Sequence, residues 1–295
     1  MAEPAPLWWA VALPPALALA AGVTAALAGA GAGRRPAPLR ELARRRRHTV
    51  AADAGLRTLG AVLLPVAAVA AAVVLPFGFR SVSDLAVGVV WFNAMGALAW
   101  AAVWLAGWGA NSALSLIGGY RFLAQGLAYE VPHMLALTTA ALGAGSLRVG
   151  AVVEAQRGLW FVVWMPVAFA VFLLSAVAMA FVGPFDQPVG RDVAGGAAGE
   201  LGGVDRLLFL GGRWLLLVVA AGMAVPLFLG GGHGPWLPAW CWTLVKTAAV
   251  LGALLWLRRL LPAVRMDRFT TVAWTVVTPL AVVQALWVSF VVLGR

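Results

Sequence analysis

The chain contains few cysteine, histidine and acidic residues. Its 295 residues include one cysteine, Cys241, and three histidines that lie far apart in the sequence. A single cysteine excludes an internal disulfide, a cysteine-rich zinc site and an iron–sulfur cluster held by this chain alone. A haem held by two histidines is also disfavoured, because His48 falls in a polar connection. Any redox chemistry therefore requires a metal or flavin on a partner.

Charged residues make up only 11% of the chain, whereas hydrophobic residues make up 63% and the mean hydropathy is +0.93. A soluble domain is typically about half apolar and a quarter charged. Several apolar runs here reach about 20 residues, the length that a helix needs to cross the hydrocarbon of a bilayer. We therefore predict an all-α integral membrane fold, formed by one polytopic domain over residues 1–295.

Eight transmembrane helices are predicted from the apolar runs. Tryptophans fall near several of the predicted ends, as an interfacial aromatic belt would place them. The first run lacks the features of a cleaved signal peptide and is expected to be retained. The predicted helices cover about residues 7–29, 59–78, 85–106, 131–149, 159–183, 207–230, 238–257 and 272–292.

Basic residues set the predicted orientation. Most of them lie in the connections after helices one, three, five and seven, whereas the opposite side has Arg80, Arg148, Arg157 and the terminal Arg295. By the positive-inside rule these odd connections are cytoplasmic and both termini lie outside. The net charge of +10 is thus mostly a topology signal, and no motif of a nucleic-acid-binding domain accompanies it.

A semi-polar stretch, GWGANSALSLIGGYRFLAQGLAYEVP, separates the third and fourth predicted helices. Connections of twenty or more residues are usually functional or disordered, and the mixed composition favours a folded cavity at the bilayer surface. Pro132 places Glu130 at the start of helix four, where the helix dipole favours a carboxylate. The alternative is a purely structural role for Glu130, as the N-cap of that helix. The polar residues of this stretch are Asn111, Ser112, Arg121, Gln125, Tyr129 and Glu130.

A second long connection covers residues 184–206 and is rich in glycine. Glycine makes such a segment pliant and lets its backbone approach a ligand or partner closely. Carboxylates beside a bilayer can relay protons or pair with a charged partner, although a flexible solvated connector is the alternative. The acidic residues of this connection are Asp186, Asp192, Glu200 and Asp205.

Two further features stay open. Lys246, the only lysine, lies well inside predicted helix seven, where it is either buried, with or without an acid to pair with its charge, or extends to an interface. The basic connection at residues 30–58 contains a segment, Pro36 to Leu59, with apolar residues on one broad helical face. This segment forms either an amphipathic helix at the interface or a solvated loop that sets the topology.

Three motifs, in order, resemble the H subunit of respiratory complex I, the bacterial NADH:quinone oxidoreductase. The first comprises GWGANS at 107–112, SLIGGYR at 115–121 and AQGLAYEVP at 124–132. The second is PFDQP at 184–188 followed by ELGG at 200–203. The third is Arg265 and Asp267, followed by Trp274 and PLA at 279–281. The resemblance spans about residues 50 to 292 and fits the eight-helix count.

The resemblance implies a subunit of a quinone-reducing translocase that is not active alone. It would link the hydrophilic arm to the proton-translocating membrane arm and form part of the quinone chamber, in the bacterial inner (plasma) membrane. Quinone would be the substrate, while Fe–S clusters and FMN would reside in partner subunits. The expected partners are Fe–S and quinone-site peripheral subunits, small membrane-arm subunits and the lipid bilayer.

The resemblance also implies roles for individual residues, with neither a catalytic residue nor a metal ligand among them. Arg121, Gln125, Tyr129 and Glu130 would line or support the quinone chamber. Asp186, Asp192, Glu200 and Lys246 would take part in proton coupling. Asn111, Arg265 and Asp267 would be structural or face a partner.

The chain departs from the family pattern at Val189, Arg191 and Arg213, where acids are expected. An arginine cannot exchange protons near neutral pH, so impaired coupling is predicted. Two alternatives to the complex I role are an anchor subunit of a related membrane-bound hydrogenase-type complex and an independent membrane transporter. A transporter predicts inverted repeats with broken helices, and the sequence has no convincing internal repeat.

Overall fold

The computed structural model describes residues 3–4, 6, 8–30 and 49–294. Residues 31–48 lie outside this part of the chain. They include His48 and most of the segment from Pro36 to Leu59 for which an amphipathic helix was considered. Two short strands, β1 (Glu3–Pro4) and β2 (Arg80–Ser81), pair in parallel, and nearly all other regular structure is helical.

The described residues form eleven α-helices. Short 3-10 turns at Gln187–Val189, Arg191–Val193 and Gly196–Ala198 follow the seventh helix, and a π-helical turn at Ala273–Val277 joins the last two. The helices are α1 (Trp8–Ala30), α2 (Ala54–Ala72), α3 (Gly88–Gly109), α4 (Ala113–Ala144), α5 (Val149–Ala155), α6 (Phe161–Trp164), α7 (Pro166–Met179), α8 (Gly203–Phe228), α9 (Ala239–Leu260), α10 (Met266–Val272) and α11 (Thr278–Leu293).

Six helical units in the described part of the chain are long and apolar enough to cross a bilayer. They are α1, α2, α3, α8, α9 and the continuous unit Met266–Leu293 that combines α10 and α11. A seventh results when α4 and α5, which meet at a bend of 61°, are counted as one span, and α7 is a shorter apolar helix. These elements agree with an all-α membrane protein, while the eighth span and the outer position of the termini stay predictions.

The predicted helix at 159–183 is wrong as a single element. It is broken at Met165, where the backbone leaves the helical conformation between α6 and α7. Pro166 explains the break, because a proline disfavours helical geometry in the residue before it and is well suited to the first turn of a new helix. The following helix ends at Met179.

The largest difference from the sequence prediction concerns residues 107–132. The connection between α3 and α4 is only three residues long, and residues 113–144 form one helix. At 1.5 Å per residue this 32-residue helix is about 48 Å long, well beyond the roughly 30 Å of bilayer hydrocarbon. Pro132, predicted in a first turn, lies in the interior of α4.

Small residues let α3 and α4 pack closely as an antiparallel pair. A Cβ at Gly107 would lie 2.7 Å from the carbonyl oxygen of Ser115, and a Cβ at Gly126 would lie 2.5 Å from the Trp100 ring. Both positions therefore require glycine, and the contacts set the register between the helices. The most buried helix is α8, which packs on α1, α2, α7 and α9.

Candidate functional site

Polar side chains of α4 meet those of α3 inside the helix bundle. Glu130 is half-buried, and its Oε1 accepts a hydrogen bond of 2.8 Å from Nδ2 of Asn93. One position earlier, the buried Tyr129 hydroxyl accepts a 2.8 Å bond from Nε1 of Trp100, whose ring meets the phenol edge to face. An ionisable group inside a membrane is costly and is usually functional, so this pair of contacts is the centre of the candidate site.

The sequence suggested that Glu130 lies at the start of a helix, but the structure places it in the interior of α4. Ala113 begins α4, and 130 − 113 = 17 residues place Glu130 about 26 Å along it. The N-terminal dipole acts within the first turn only and does not reach this carboxylate. The N-cap position belongs to Ser112, which excludes the capping role for Glu130.

Gln125 ties α4 to the start of the second connection. Its buried amide nitrogen donates to the carbonyl oxygen of Ala178 at 2.7 Å and to that of Phe185 at 3.2 Å. Burying an amide is costly unless it is hydrogen-bonded, so these bonds stabilise the chain where α7 ends. Gln125 thus positions the segment that carries the PFDQP motif.

Arg121 reaches the same connection nearer its exposed side. Its Nη1 forms a 2.6 Å ion pair with Oδ2 of Asp192 and lies 3.4 Å from the carbonyl oxygen of Gln187. Asp192 is 61% exposed, so the pair is partly solvated and contributes modestly to stability. Its geometry nevertheless places Arg121 and Asp192, from separate sequence motifs, in direct contact.

The connection at residues 184–202 is ordered against α4, rather than pliant as predicted. Oγ of Ser115 donates to the carbonyl oxygen of Gly196 at 3.2 Å, and Oγ of Ser112 lies 3.4 Å from Oε1 of Glu200. A Cβ at Gly118 would lie 2.6 Å from the carbonyl oxygen of Pro188, so only glycine allows this approach. The glycines serve the contact between connection and helix within this chain.

Asp186 precedes the first 3-10 turn and faces the bundle near Arg213. Arg213 of α8 donates from Nη2 to the carbonyl oxygen of Phe181 at 2.8 Å and lies over the rings of Phe181 and Trp214. Arg258 also lies over the Trp214 ring, at 5.4 Å. The guanidinium at position 213 is therefore held by a carbonyl and two aromatic rings, with Asp186 as a nearby opposite charge.

Lys246 is buried, which agrees with the first of the two sequence-based interpretations, and no acid among the described residues forms an ion pair with it. Its Nζ donates to the carbonyl oxygens of Leu229, Gly231 and His233 at 2.6, 2.9 and 2.8 Å. The Trp160 ring lies 4.1 Å from the same nitrogen, a cation–π contact. All three ammonium donors are used, and Lys246 binds the chain that leaves the C-terminal end of α8.

The three residues predicted as structural or partner-facing lie in two separate regions. Asn111 occupies the turn between α3 and α4 at a φ of 44°, and its Nδ2 donates to the carbonyl oxygen of Val50 at 3.0 Å. Arg265 and Asp267 are exposed and 3.9 Å apart at the start of α10. Asn111 therefore has a structural contact, and the other two are available to a partner.

A cavity of about 290 Å³ opens beside the turn between α3 and α4. A folded cavity was predicted in the 107–132 stretch, and the first residues of that stretch line this one together with residues around the start of α2. Asp53, whose side chain caps α2 by accepting from the Leu56 amide, contributes to the wall. The other lining residues include Ala51, Trp108, Asn111, Ser112 and Leu116.

Sequence reasoning missed a buried ion pair. Arg57 of α2 and Asp205 of α8 lie 3.9 Å apart, and each side chain is 2% exposed. The sequence signals were an arginine in the first turn of an apolar run and an aspartate at the end of a glycine-rich connection. Their pairing depends on the packing of α2 on α8, which no local pattern reveals. The roles predicted for the other site residues stay predictions.

Comparison with known proteins matches most of this chain. The sequence profile of the NADH dehydrogenase family matches residues 40–289. The NADH-quinone oxidoreductase H subunit 1 of Geobacter metallireducens is 37% identical over 255 residues, which are 83% of this chain and 78% of that protein. The H subunit 2 of Rhodopseudomonas palustris is 40% identical over 217 residues, 73% of this chain and 68% of that protein.

A third relative, the H subunit 2 of Geobacter sulfurreducens, is 37% identical over 82% of this chain and 77% of its own length. The matched region includes both segments that meet at the candidate site, residues 107–132 and 184–203. The chain belongs to the NADH dehydrogenase family, together with these H subunits of NADH-quinone oxidoreductases.

Proposed function

We propose that this chain is the membrane-embedded H subunit of a complex I-like NADH:quinone oxidoreductase. The observation that carries the proposal is the contact between two motif-bearing segments. Residues 112–125 of α4 bind the 184–202 connection through Ser112, Ser115, Arg121 and Gln125. A membrane helix that also bears a half-buried carboxylate is thereby joined to a surface on which a peripheral subunit can dock.

The quinone chamber lies, on this proposal, along the α3–α4 pair. Tyr129 and Glu130 face the interior, while Arg121 and Gln125 hold the neighbouring connection in place. The cavity beside Asn111 lies at the end of this helix pair where α3 meets α4. A single cysteine cannot hold an Fe–S cluster, so these clusters are proposed to lie in partner subunits, and FMN with them, while quinone is the substrate of this chamber.

The 184–202 connection is proposed to face those partners and to link quinone reduction to proton movement. Asp192 is largely exposed and Glu200 partly so, which suits contact with a charged surface. Asp186, beside Arg213, carries the coupling toward α8. The contacts of Lys246 favour a stabilising role at the other end of α8 over a role in coupling.

An eight-span topology with both termini outside is proposed for the assembled protein. It counts the six long apolar units, the bent pair of α4 and α5, and the broken unit of α6 and α7. The 184–202 connection then lies on the cytoplasmic side, where the positive-inside rule places Arg191 and Arg206. The location is the bacterial inner membrane.

Purification from native membranes tests the proposed function. The tagged chain is extracted in mild detergent, its partners are identified by mass spectrometry, and quinone reduction by NADH is measured with and without a quinone-site inhibitor. An unrelated multi-pass protein with the same tag is the control. Fe–S and quinone-site subunits with inhibitor-sensitive activity support the proposal. Hydrogenase subunits, or recovery of the chain alone with transport activity, would refute it.

A further inference from the structure

His133 is a second protonatable group inside the bundle, one turn after Glu130 on α4. Its side chain is 1% exposed, and its ring stacks on Phe172 with centroids 5.2 Å apart. Phe92 lies on another side, at 6.1 Å. Among the described residues, no hydrogen-bond partner reaches either ring nitrogen. Buried polar groups are normally hydrogen-bonded, and an imidazole between two phenyl rings is costly without such a bond.

Among the described residues, no charged side chain is paired with His133. Of the helices that pack on α4, α3, α7 and α11 contain no charged residue. The charges of α8 have other contacts, since Asp205 pairs with Arg57, Arg206 donates to the Ala198 carbonyl and Arg213 donates to the Phe181 carbonyl. In the 3-10 turns, Asp192 pairs with Arg121 and Arg191 is exposed. The charged residues of α5 and α10 are engaged or exposed elsewhere, since Glu154 pairs with Arg157 and both charges of α10 are exposed. The titratable groups near His133 are therefore Tyr129 and Glu130 of its own helix. Residues three apart on a helix are neighbours, with Cβ atoms about 5–6 Å apart.

Other polar atoms along the same pair of helices also lack a direct partner. Among the described residues, Oδ1 of Asn93 and Oε1 of Gln125 are buried without a hydrogen bond. From Gln125 to His133 is eight residues, about 12 Å along α4. Interior polar groups in such a row are commonly bridged by ordered water. Asn93, Glu130 and His133 thus form a polar seam that water can complete, and Gln125 lies farther along the same helix.

We propose that His133 relays protons to and from Glu130 through an ordered water in this seam. The Glu130 carboxyl gives its proton to the water, which passes one of its own protons to an imidazole nitrogen. The products are a carboxylate and an imidazolium, and the imidazolium then gives the proton of its other nitrogen to a second water, which restores the neutral imidazole. Two distinct ring nitrogens suit a group that takes a proton on one side and gives it up on the other.

This relay rests on the proposed function, because quinone reduction supplies the drive for proton movement. Two variants test it in the assembled complex, purified and reconstituted in liposomes. His133→Gln keeps a polar side chain of similar size but cannot relay a proton, and His133→Leu removes polarity altogether. The control is Thr139→Val, since Thr139 is buried on the same helix and only bonds to its own turn at the Leu135 carbonyl.

The measured quantity is the number of protons translocated per electron at matched rates of quinone reduction. Both His133 variants are expected to lower this ratio at least about threefold, with Thr139→Val unchanged, because a missing relay group slows proton transfer more than electron transfer. An unchanged ratio in His133→Gln would overturn the relay. Failure of both variants to assemble would give His133 a structural role and overturn it too. Absence of quinone reduction in the unsubstituted complex would instead refute the proposed function.

Discussion

Asn93 on α3 and Glu130 on α4 are joined by a 2.8 Å hydrogen bond inside the helix bundle. The amide supplies a donor to a carboxylate that water does not freely reach, and the bond fixes the two antiparallel helices at that level. The Trp100–Tyr129 bond repeats the arrangement about two turns along α3. The two contacts hold α3 and α4 together at the level of the acid.

Glu130→Gln is expected to lower quinone-dependent turnover at least about tenfold while leaving assembly intact, because a glutamine still accepts from Asn93 but exchanges no proton. Turnover and the amount of assembled complex are measured on the same membranes. The matched control is Glu154→Gln, because Glu154 is an acid of α5 that pairs with Arg157. Normal turnover in Glu130→Gln would remove Glu130 from the site.

Asp205→Asn is expected to destabilise the protein by roughly 3–5 kcal/mol, because it leaves the buried Arg57 charge without its carboxylate. Thermal aggregation in detergent measures the effect. The exposed pair of Arg265 and Asp267 provides the control, and Asp267→Asn should leave stability unchanged. Equal melting behaviour of the two variants would show that the Arg57–Asp205 contact does not stabilise the fold.

Lys246→Met is expected to loosen the start of α9, since three carbonyl oxygens lose their donor. Lys246→Arg should not restore it, because a planar guanidinium cannot donate from one nitrogen to three converging acceptors. Cys241, five residues away, reports the change through its rate of reaction with a fluorescent maleimide, read in the gel band of this chain. An unaltered labelling rate in Lys246→Met would contradict the stabilising role.

Gly118→Ala is expected to displace the 184–202 connection from α4 and to lower quinone-dependent activity, because the new methyl group would overlap the backbone at Pro188 and Gly196. Gly211→Ala is the control, since a Cβ at that helical position meets open space. Protease accessibility of the connection and activity are measured together. A connection as protected in Gly118→Ala as in the control would show that close packing there is dispensable.

The sequence is a good guide to this fold where a helix is uniformly apolar. Apolar runs predict α1, α3, α8 and α9 within about five residues at their ends. Hydropathy fails at α4, because Arg121, Gln125 and Glu130 interrupt the run and suggest a loop. Those side chains find partners on α3 and on the 184–202 connection, and such long-range pairing is what permits a helix to continue through polar sequence.

The candidate site, like the fold, is only partly predictable from the sequence. Residue types and motif order single out Tyr129, Glu130 and Asp192, because uncommon polar residues in an apolar chain are conspicuous. The partners of Glu130 and Tyr129, which are Asn93 and Trp100, escape notice, since one amide and one of four indoles in an otherwise apolar helix carry no signal until the two helices are placed side by side. Lys246 is conspicuous as well, but its chemistry depends on three backbone carbonyls that sequence cannot locate.

Pro132 creates a weak point within α4. Proline has no amide hydrogen, so the carbonyl of Ala128 loses its helical bond and the rod is weakest between these two residues. The stiff segment on one side carries the docked connection, and Glu130 lies within the weak turn itself. Any bending of α4 is therefore expected to concentrate at this turn, where it would change the angle between the segment that binds the connection and the carboxylate.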